Sequence, residues 1–242
     1  MTWIKFCATT NLADAESTIS AGANALGFIF APGARRVKPA LAGQIVAALP
    51  AEMEKIGVFV NETPQRVAEM AVQVGLTGVQ LHGDEPAHEI PEFRRALGHR
   101  RIIKSLQARQ LLMAGYGTVL MEEFLQHTES LDAILLDSGS PEARGGTGKP
   151  FDWQLAVPLV TRIRADMPVI IAGGLNPENV GEAIRLFEPW GVDVVSGVET
   201  EVGKKDEAKL RAFTAAVRAA SPAAEASIGG RNAKSQKRTY AT

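Results

Sequence analysis

The stretch that most clearly decides the fold is VIIAGGLNP, residues 169–177. Its first four residues are continuously apolar, which predicts a strand buried on both faces, as in a parallel sheet covered by helices. Gly173 and Gly174 then form a turn, and Asn176-Pro177 supplies the cap and first-turn proline that begin a helix. The stretch therefore predicts one strand–turn–helix unit of a parallel α/β protein.

Seven other stretches repeat this order of apolar run, polar turn and helical pattern. Their apolar runs are residues 4–7, 25–30, 56–60, 79–82, 101–104, 133–137 and 192–195. Eight alternations with short connections predict a closed parallel barrel, the α/β architecture called the (β/α)8 or TIM barrel. Such a barrel typically needs about 250 residues. We expect a single barrel domain over residues 1–220 of the 242.

Two segments fit this pattern less well. Residues 105–132 contain Gly115 and Gly117 between apolar clusters, and they predict either one broken helix or two short ones. Residues 221–242 are rich in Ala, Ser, Gly and basic residues without apolar periodicity, which predicts a disordered tail. Its basic residues could contact an anionic partner, but a solvated tail is the favoured interpretation.

Composition narrows the class of protein. The formal net charge of -1 gives no indication of a nucleic-acid or membrane partner. The single cysteine excludes an intrachain disulfide, and we find no secretory leader. The longest apolar runs are far below the ~20 residues that a membrane-spanning helix requires. We therefore expect a soluble, cytoplasmic protein.

Two candidate catalytic residues end predicted strands, where barrel enzymes place their active-site groups. Cys7 follows the first apolar run, and a lone cysteine in an intracellular enzyme is a candidate nucleophile or base. It could instead be a small buried hydrophobe. Asp137 ends the sixth run, where partial desolvation favours a general acid, although a helix cap or loop anchor is an equal alternative. A thiolate base facing a carboxylic acid suits proton transfers on a sugar.

Glycine-containing turns predict a phosphate site, because glycine lets backbone N–H groups approach an anion closely. In barrels the loops after strands seven and eight are the usual phosphate cradle, although such glycines can also be simple tight turns. The segment GTGK, residues 146–149, lacks the residues of a nucleotide P-loop, and the four histidines lack metal-ligand spacing. The candidates are Gly145 and Gly146 after strand six, Gly173 and Gly174 after strand seven, and Ser196 and Gly197 after strand eight.

Three further polar residues are candidates for contacting a substrate. Arg35 and Arg36 follow the second strand, where an arginine could bind a carboxylate bidentately, although both could be solvated surface residues. His82 ends the fourth strand, where it could line the pocket or satisfy a hydrogen bond at the strand end.

Motifs at nearly every strand, between about residues 3 and 215, resemble those of the phosphoribosylanthranilate isomerase family. The most specific are KFC at 5–7, GVFVN at 57–61, VQLHGDE at 79–85, GGTGK at 145–149, AGGLNPENV at 172–180 and SGVE at 196–199. One departure is Ala8, where the family usually has glycine after the cysteine. If this position has a positive φ, alanine is strained and could displace the thiol.

The resemblance implies an isomerase of tryptophan biosynthesis without cofactor or metal. Its small phosphosugar substrate, N-(5-phosphoribosyl)anthranilate, would undergo an Amadori rearrangement to 1-(2-carboxyphenylamino)-1-deoxyribulose 5-phosphate. The family's base corresponds to Cys7, its acid to Asp137, and its carboxylate-binding arginine to Arg36, with Arg35 an ambiguous neighbour. Its phosphate-binding residues correspond to Gly173, Gly174, Ser196 and Gly197, and we add His82, Gly145 and Gly146 as substrate-binding candidates.

Other interpretations remain open at this point. A phosphosugar-binding barrel without turnover would have the same fold, because function resides in the site. A barrel isomerase of the histidine-pathway aminoaldose would use paired aspartates, and Cys7 occupies one of those positions. For the assembly, we expect a monomer or homodimer.

Overall fold

Eight parallel strands close into a barrel in the computed structural model, which describes residues 1–113, 116–138 and 153–221. They follow one another in chain order, and β1 pairs with both β2 and β8 to close the barrel. The predicted TIM barrel is therefore confirmed. The strands are β1 Trp3–Phe6, β2 Ala25–Ile29, β3 Glu54–Phe59, β4 Gly78–Leu81, β5 Arg101–Gln107, β6 Ala133–Asp137, β7 Val169–Ile171 and β8 Gly191–Val194.

Helices connect the strands and cover the outside of the barrel. The sequence signals are visible at α3, where the Thr63 side chain accepts a hydrogen bond from the backbone N–H of Arg66 and Gly75 ends the helix at φ 81°. Residues 105–132 contain two short helices, one of the two alternatives predicted. The helices are α1 Leu12–Ser20, α2 Pro39–Ala48, α3 Pro64–Val74, α4 Ile90–Leu97, α5 Ala108–Leu111, α6 Tyr116–Leu125, α7 Trp153–Arg164, α8 Val180–Phe187 and α9 Glu207–Ala220.

The start predicted for α8 is wrong by about one turn. The helix begins at Val180, not at the Asn176-Pro177 pair. The Asn176 side chain accepts hydrogen bonds from the backbone N–H groups of Glu178 and Asn179, so it closes a separate turn before the helix. This turn lengthens the connection after β7.

Every second strand residue faces the barrel interior, as the two-residue period of a strand requires. The deepest interior residues form a small apolar cluster that includes Trp3, Ile56 and Ile170. Outward-facing residues pack against the helices; the rings of Phe6 and Phe213, for example, have centroids 5.6 Å apart. Within this mostly apolar interior, Lys5 and Asp193 form a buried ion pair.

A small antiparallel hairpin, not predicted from the sequence, follows β8. Its strands are β9 Glu199–Glu201 and β10 Lys204–Lys205, with Gly203 in the turn at φ 82°. Strands of three and two residues are too short to show an apolar period. The hairpin leads into α9, which Asp206 caps by accepting from the N–H groups of Ala208 and Lys209.

Helix α9 ends at Ala220, and the domain bounds 1–220 stay a prediction. Residues 222–242 lie outside the described residues, so the tail stays a prediction. Within the described ranges, none of the helices has the length and apolarity that crossing a membrane would demand.

Candidate active site

A cavity of about 500 Å³ opens at the carboxyl ends of the strands and is lined by four of the candidate residues, Cys7, Arg35, His82 and Asp137. Six of the strands, or the segments directly after them, supply the residues of its wall, with apolar side chains on the β2–β3 side. The lining residues are Cys7, Ile29, Ala31, Pro32, Gly33, Ala34, Arg35, Val58, Val60, Gln80, His82, Asp137, Asp193 and Val195. The structure thus brings the predicted thiol and carboxyl groups into one cavity.

Two buried lysines, Lys5 and Lys205, lie close to Cys7. Lys5 Nζ donates to Asp193 Oδ1 at 2.9 Å, and Lys205 Nζ donates to the backbone carbonyl oxygen of Cys7 at 2.6 Å. Burial raises the pKa of the Cys7 thiol above its ordinary value of 9.0, while the positive charges of Lys5 and Lys205 oppose that rise. The lysines thus offset part of the effect of burial, which still leaves the pKa of the Cys7 thiol raised.

Asp193 keeps Lys5 charged. Burial alone would lower the pKa of Lys5, but attraction to Asp193 and to Cys7 outweighs burial and raises it. Because an ion pair this deep is stable only while both partners are present, Asp193 supports the charge next to the thiol.

Gly27 on β2 leaves the space that the thiol occupies. A Cβ atom at this position would lie 2.5 Å from Cys7 Sγ and 3.0 Å from Cys7 Cα. No side chain larger than hydrogen fits there without movement of Cys7. The sequence analysis did not identify this residue as part of the site.

Ala8 does adopt a positive φ, of 67°, and its side chain is fully buried. Ala8 therefore has the positive φ at which we expected alanine to be strained. The neighbouring backbone is nevertheless well bonded, because the Cys7 N–H donates to the Val194 carbonyl and the Thr9 N–H to the Gly27 carbonyl. These bonds hold the turn in the left-handed conformation.

Asp137 lies at the end of β6 with His82 across the cavity. Its Oδ2 is 3.7 Å from His82 Nε2, and its Oδ1 accepts a hydrogen bond from Ser138 Oγ at 3.4 Å. His82 is in turn 2.8 Å from Gln80 Nε2 through its Nδ1. His82 thus takes part both in a hydrogen bond near its strand end and in lining the cavity, which were the two alternatives considered.

A second cavity, of about 250 Å³, shares His82 and Asp137 with the first. In the wall of this second cavity, Lys104 Nζ pairs with Glu85 Oε2 at 2.7 Å. The same Glu85 side chain accepts from the backbone N–H groups of Asn61 and Gly83. Glu85 therefore fixes the loop that follows His82.

The two arginines have different environments. Arg35 lines the main cavity, but its guanidinium donates to both Glu199 carboxylate oxygens, with Nη2 to Oε2 at 2.7 Å. Arg36 is exposed and lines a separate cavity of about 60 Å³ with Phe30 and Glu62. The structure therefore does not bring Arg36 into the main cavity.

The predicted phosphate glycines approach one another but do not line the main cavity. Gly173 and Gly174 have φ of 81° and 71°, and a Cβ at Gly173 would lie 2.3 Å from the Ser138 backbone nitrogen. Gly197 lies against the Leu175 carbonyl, since a Cβ there would be 2.0 Å from that oxygen. Ser196 is half-buried in the turn Ser196–Val198. Gly145 and Gly146 lie outside the described residues.

Sequence reasoning missed Lys5, Gln80, Asp193 and Lys205. The first three had a usable signal, because each is a polar residue at an inward position of an otherwise apolar strand. The sequence pattern does not indicate a role for Lys205, because Lys205 is 198 residues from Cys7 in the chain and contacts it through the hairpin.

Fold and site together define a TIM barrel with a buried thiol and a buried carboxyl group in one cavity at the carboxyl ends of its strands. A family model described as N-(5'phosphoribosyl)anthranilate (PRA) isomerase matches residues 4–216. The chain therefore belongs to the N-(5'-phosphoribosyl)anthranilate isomerase family, which confirms the predicted family and the predicted class, an isomerase of tryptophan biosynthesis.

Individual relatives agree with this assignment. The chain is 43% identical to N-(5'-phosphoribosyl)anthranilate isomerase of Desulforudis audaxviator, over 88% of this chain and 96% of that protein. It resembles the crystal structure of phosphoribosyl anthranilate isomerase from Thermotoga maritima with 39% identity and a TM-score of 0.76, covering 90% and 100% of the two chains. A further structure, 37% identical with a TM-score of 0.72 over 90% and 100% of the chains, is a phosphoribosyl anthranilate isomerase in complex with reduced 1-(o-carboxyphenylamino)-1-deoxyribulose 5-phosphate.

Proposed function

We propose that this chain converts N-(5-phosphoribosyl)anthranilate to 1-(2-carboxyphenylamino)-1-deoxyribulose 5-phosphate, with Cys7 as general base and Asp137 as general acid. The observation that carries the proposal is one cavity with a buried thiol and a buried carboxyl on different strands. The names of the relatives support the same reaction. Retention of both groups argues against a barrel that only binds the phosphosugar.

The chemistry requires one proton to be donated and one to be removed. Asp137 protonates the furanose ring oxygen as the C1–O bond breaks, which leaves a protonated Schiff base between C1 and the anthranilate nitrogen. The Cys7 thiolate then takes the proton from C2, and the electrons of that C–H bond form the C1–C2 double bond of an enolamine. Protonation at C1 and loss of the enol proton give the ketone. Proton exchange with solvent restores both residues.

The polarity of the cavity suggests how the substrate is held. Ile29, Val58 and Val60 form an apolar wall suited to the anthranilate ring. The family resemblance assigns the ring's carboxylate to Arg36, which makes no ion pair with any described residue, whereas Arg35 is paired with Glu199. Because Arg36 lies in the separate cavity beside Phe30, this assignment requires the loop after β2 to move toward the ring when substrate binds. The phosphate belongs at the glycine turns after β7 and β8, at the opposite end of the substrate.

The test is the decay of anthranilate fluorescence as substrate generated in situ is consumed by purified protein. We expect decay with the wild-type chain and a loss of about 10²–10⁴-fold in kcat for Asp137→Asn, the usual contribution of a general acid. Asp166→Asn, the same change at a half-exposed residue paired with Arg162, is the control and should not alter the rate. Substrate binding without any decay in the wild type would instead support a non-catalytic barrel.

A further inference from the structure

Gln80, His82 and Ser105 form a hydrogen-bonded group beside Asp137, in which Gln80 and Ser105 are buried and His82 is half-buried. Gln80 is the third residue of β4 and His82 follows that strand, so their two-residue separation points both side chains into the barrel. Gln80 Nε2 is 2.8 Å from His82 Nδ1 and donates to Ser105 Oγ at 3.0 Å. With 2% of its surface exposed, Gln80 has no solvent to replace either partner.

The orientation of the Gln80 amide determines which His82 nitrogen carries the proton. In the orientation that the structure shows, Gln80 Nε2 faces His82 and both N–H groups of the amide have acceptors. Of the polar atoms of this amide, Oε1 lacks a partner among the described residues. The reverse orientation would leave both N–H groups buried without acceptors, and orphaned donors are rarer in proteins than under-satisfied carbonyl oxygens. His82 Nδ1 is therefore an acceptor, and the ring proton lies on Nε2, which faces Asp137.

We propose that Gln80 is a positioning residue that holds His82 in the neutral form protonated at Nε2, and that this keeps Asp137 able to act as an acid. The proposal rests on the general-acid role given to Asp137 above. A second ring proton would have to sit on Nδ1, where it would meet the N–H of Gln80. Because Gln80 excludes this second proton, no imidazolium forms at His82, whose Nε2 is 3.7 Å from Asp137 Oδ2.

The consequence for catalysis follows from the charge. An opposite charge at this range favours the ionised form of a carboxyl by about 1 to 3 pKa units. An ionised Asp137 has no proton to give to the ring oxygen, so an imidazolium at His82 would deplete the active form of the enzyme.

The other charged groups near His82 do not replace this role. Burial lowers the pKa of His82 below its ordinary value of 6.5. Asp137 and Glu85 favour a charge on the ring, whereas Lys5 and Lys104 oppose it. The carboxylates and lysines thus act in opposite directions, and Gln80 is the neighbour that bonds to the ring nitrogen itself.

The first test is a long-range ¹H–¹⁵N correlation spectrum of the histidine rings in the wild-type protein, with His82 assigned from His82→Asn. We expect His82 to show a protonated Nε2 and a bare Nδ1, unchanged as the pH falls through the ordinary histidine pKa of about 6.5. A protonated Nδ1 at neutral pH would overturn the proposal. This spectrum decides the tautomer even if the chain has no turnover, so its outcome is separable from that of the proposed function.

The second test is Gln80→Glu, which replaces the donor with an isosteric acceptor that favours a proton on Nδ1. We expect both His82 nitrogens to be protonated and kcat at neutral pH to fall about tenfold or more. Gln44→Glu, the same change on the exposed face of α2, should alter neither. A doubly protonated His82 with wild-type kcat would contradict the proposal. If Gln80→Glu fails to fold, Gln80→Met removes the hydrogen bond to His82 Nδ1 without adding a charge. The pKa of His82 should then lie nearer its ordinary value of 6.5.

Discussion

At the scale of single residues, Ala8, directly after Cys7, has a backbone conformation that favours glycine. It is fully buried at φ 67°, a conformation that costs a non-glycine residue about 1–2 kcal/mol. Replacing it with glycine would relieve that strain but remove a buried methyl group, worth about 0.8 kcal/mol. The two effects nearly cancel, so the fold tolerates alanine next to the thiol.

We therefore expect Ala8→Gly to change the free energy of unfolding by less than about 1 kcal/mol, measured by urea denaturation, and to leave kcat within about twofold. An increase in kcat of more than tenfold would contradict this account. It would mean that the alanine displaces Cys7 from its working position.

At the scale of elements, the β9–β10 hairpin connects the end of the chain to the thiol. Lys205 reaches the Cys7 carbonyl from β10, and Glu199 on β9 binds both Lys205 and Arg35, with Lys205 Nζ 3.6 Å from Glu199 Oε1. The hairpin thus links Cys7 with the loop after β2. Burial lowers the pKa of Lys205, and the negative charges of Glu199 and the Cys7 thiolate oppose that effect. When Lys205 is charged, it lowers the pKa of the Cys7 thiol.

Cys7 is the only cysteine, so its reaction with iodoacetamide reports the thiolate directly. Because the Lys205 charge lowers the pKa of the Cys7 thiol, Lys205→Met should raise that pKa further and slow alkylation severalfold at a given pH. Lys204→Met, at the exposed neighbouring residue, is the matched control. An identical pH profile for wild type and Lys205→Met would show that the hairpin has no electrostatic role.

At the scale of the whole molecule, the barrel closes where β1 meets β8, and Lys5 and Asp193 are paired across that seam. Both side chains are buried, so neither can exchange its partner for water. Loss of one partner therefore affects both the closure of the barrel and the charge beside Cys7.

Asp193→Asn leaves Lys5 as an unpaired buried cation, and we expect it to lower the free energy of unfolding by about 3–5 kcal/mol in urea denaturation. Glu122→Gln breaks the half-exposed pair with Arg162 and should cost less than about 1 kcal/mol. Similar losses for the two variants would contradict the structural importance of the seam.

The sequence was sufficient to predict the barrel because apolar runs such as 169–172 and 133–137 need burial on both faces. It also placed Cys7 and Asp137 at strand ends, which the barrel gathers at one face. Lys205 and Gly27 were out of reach, since their contacts with Cys7 depend on strand register and on a short hairpin with no apolar period. The start of α8 was misjudged because Asn176 bonds to its own turn.

The central claim is that the Cys7 thiolate removes the sugar proton, and the most direct measurement is kcat of Cys7→Ala on N-(5-phosphoribosyl)anthranilate beside the wild type. We expect wild-type turnover and a loss of about 10²–10⁴-fold in the variant, with its fold unchanged by circular dichroism. Nearly full turnover by Cys7→Ala would contradict the assignment of the base.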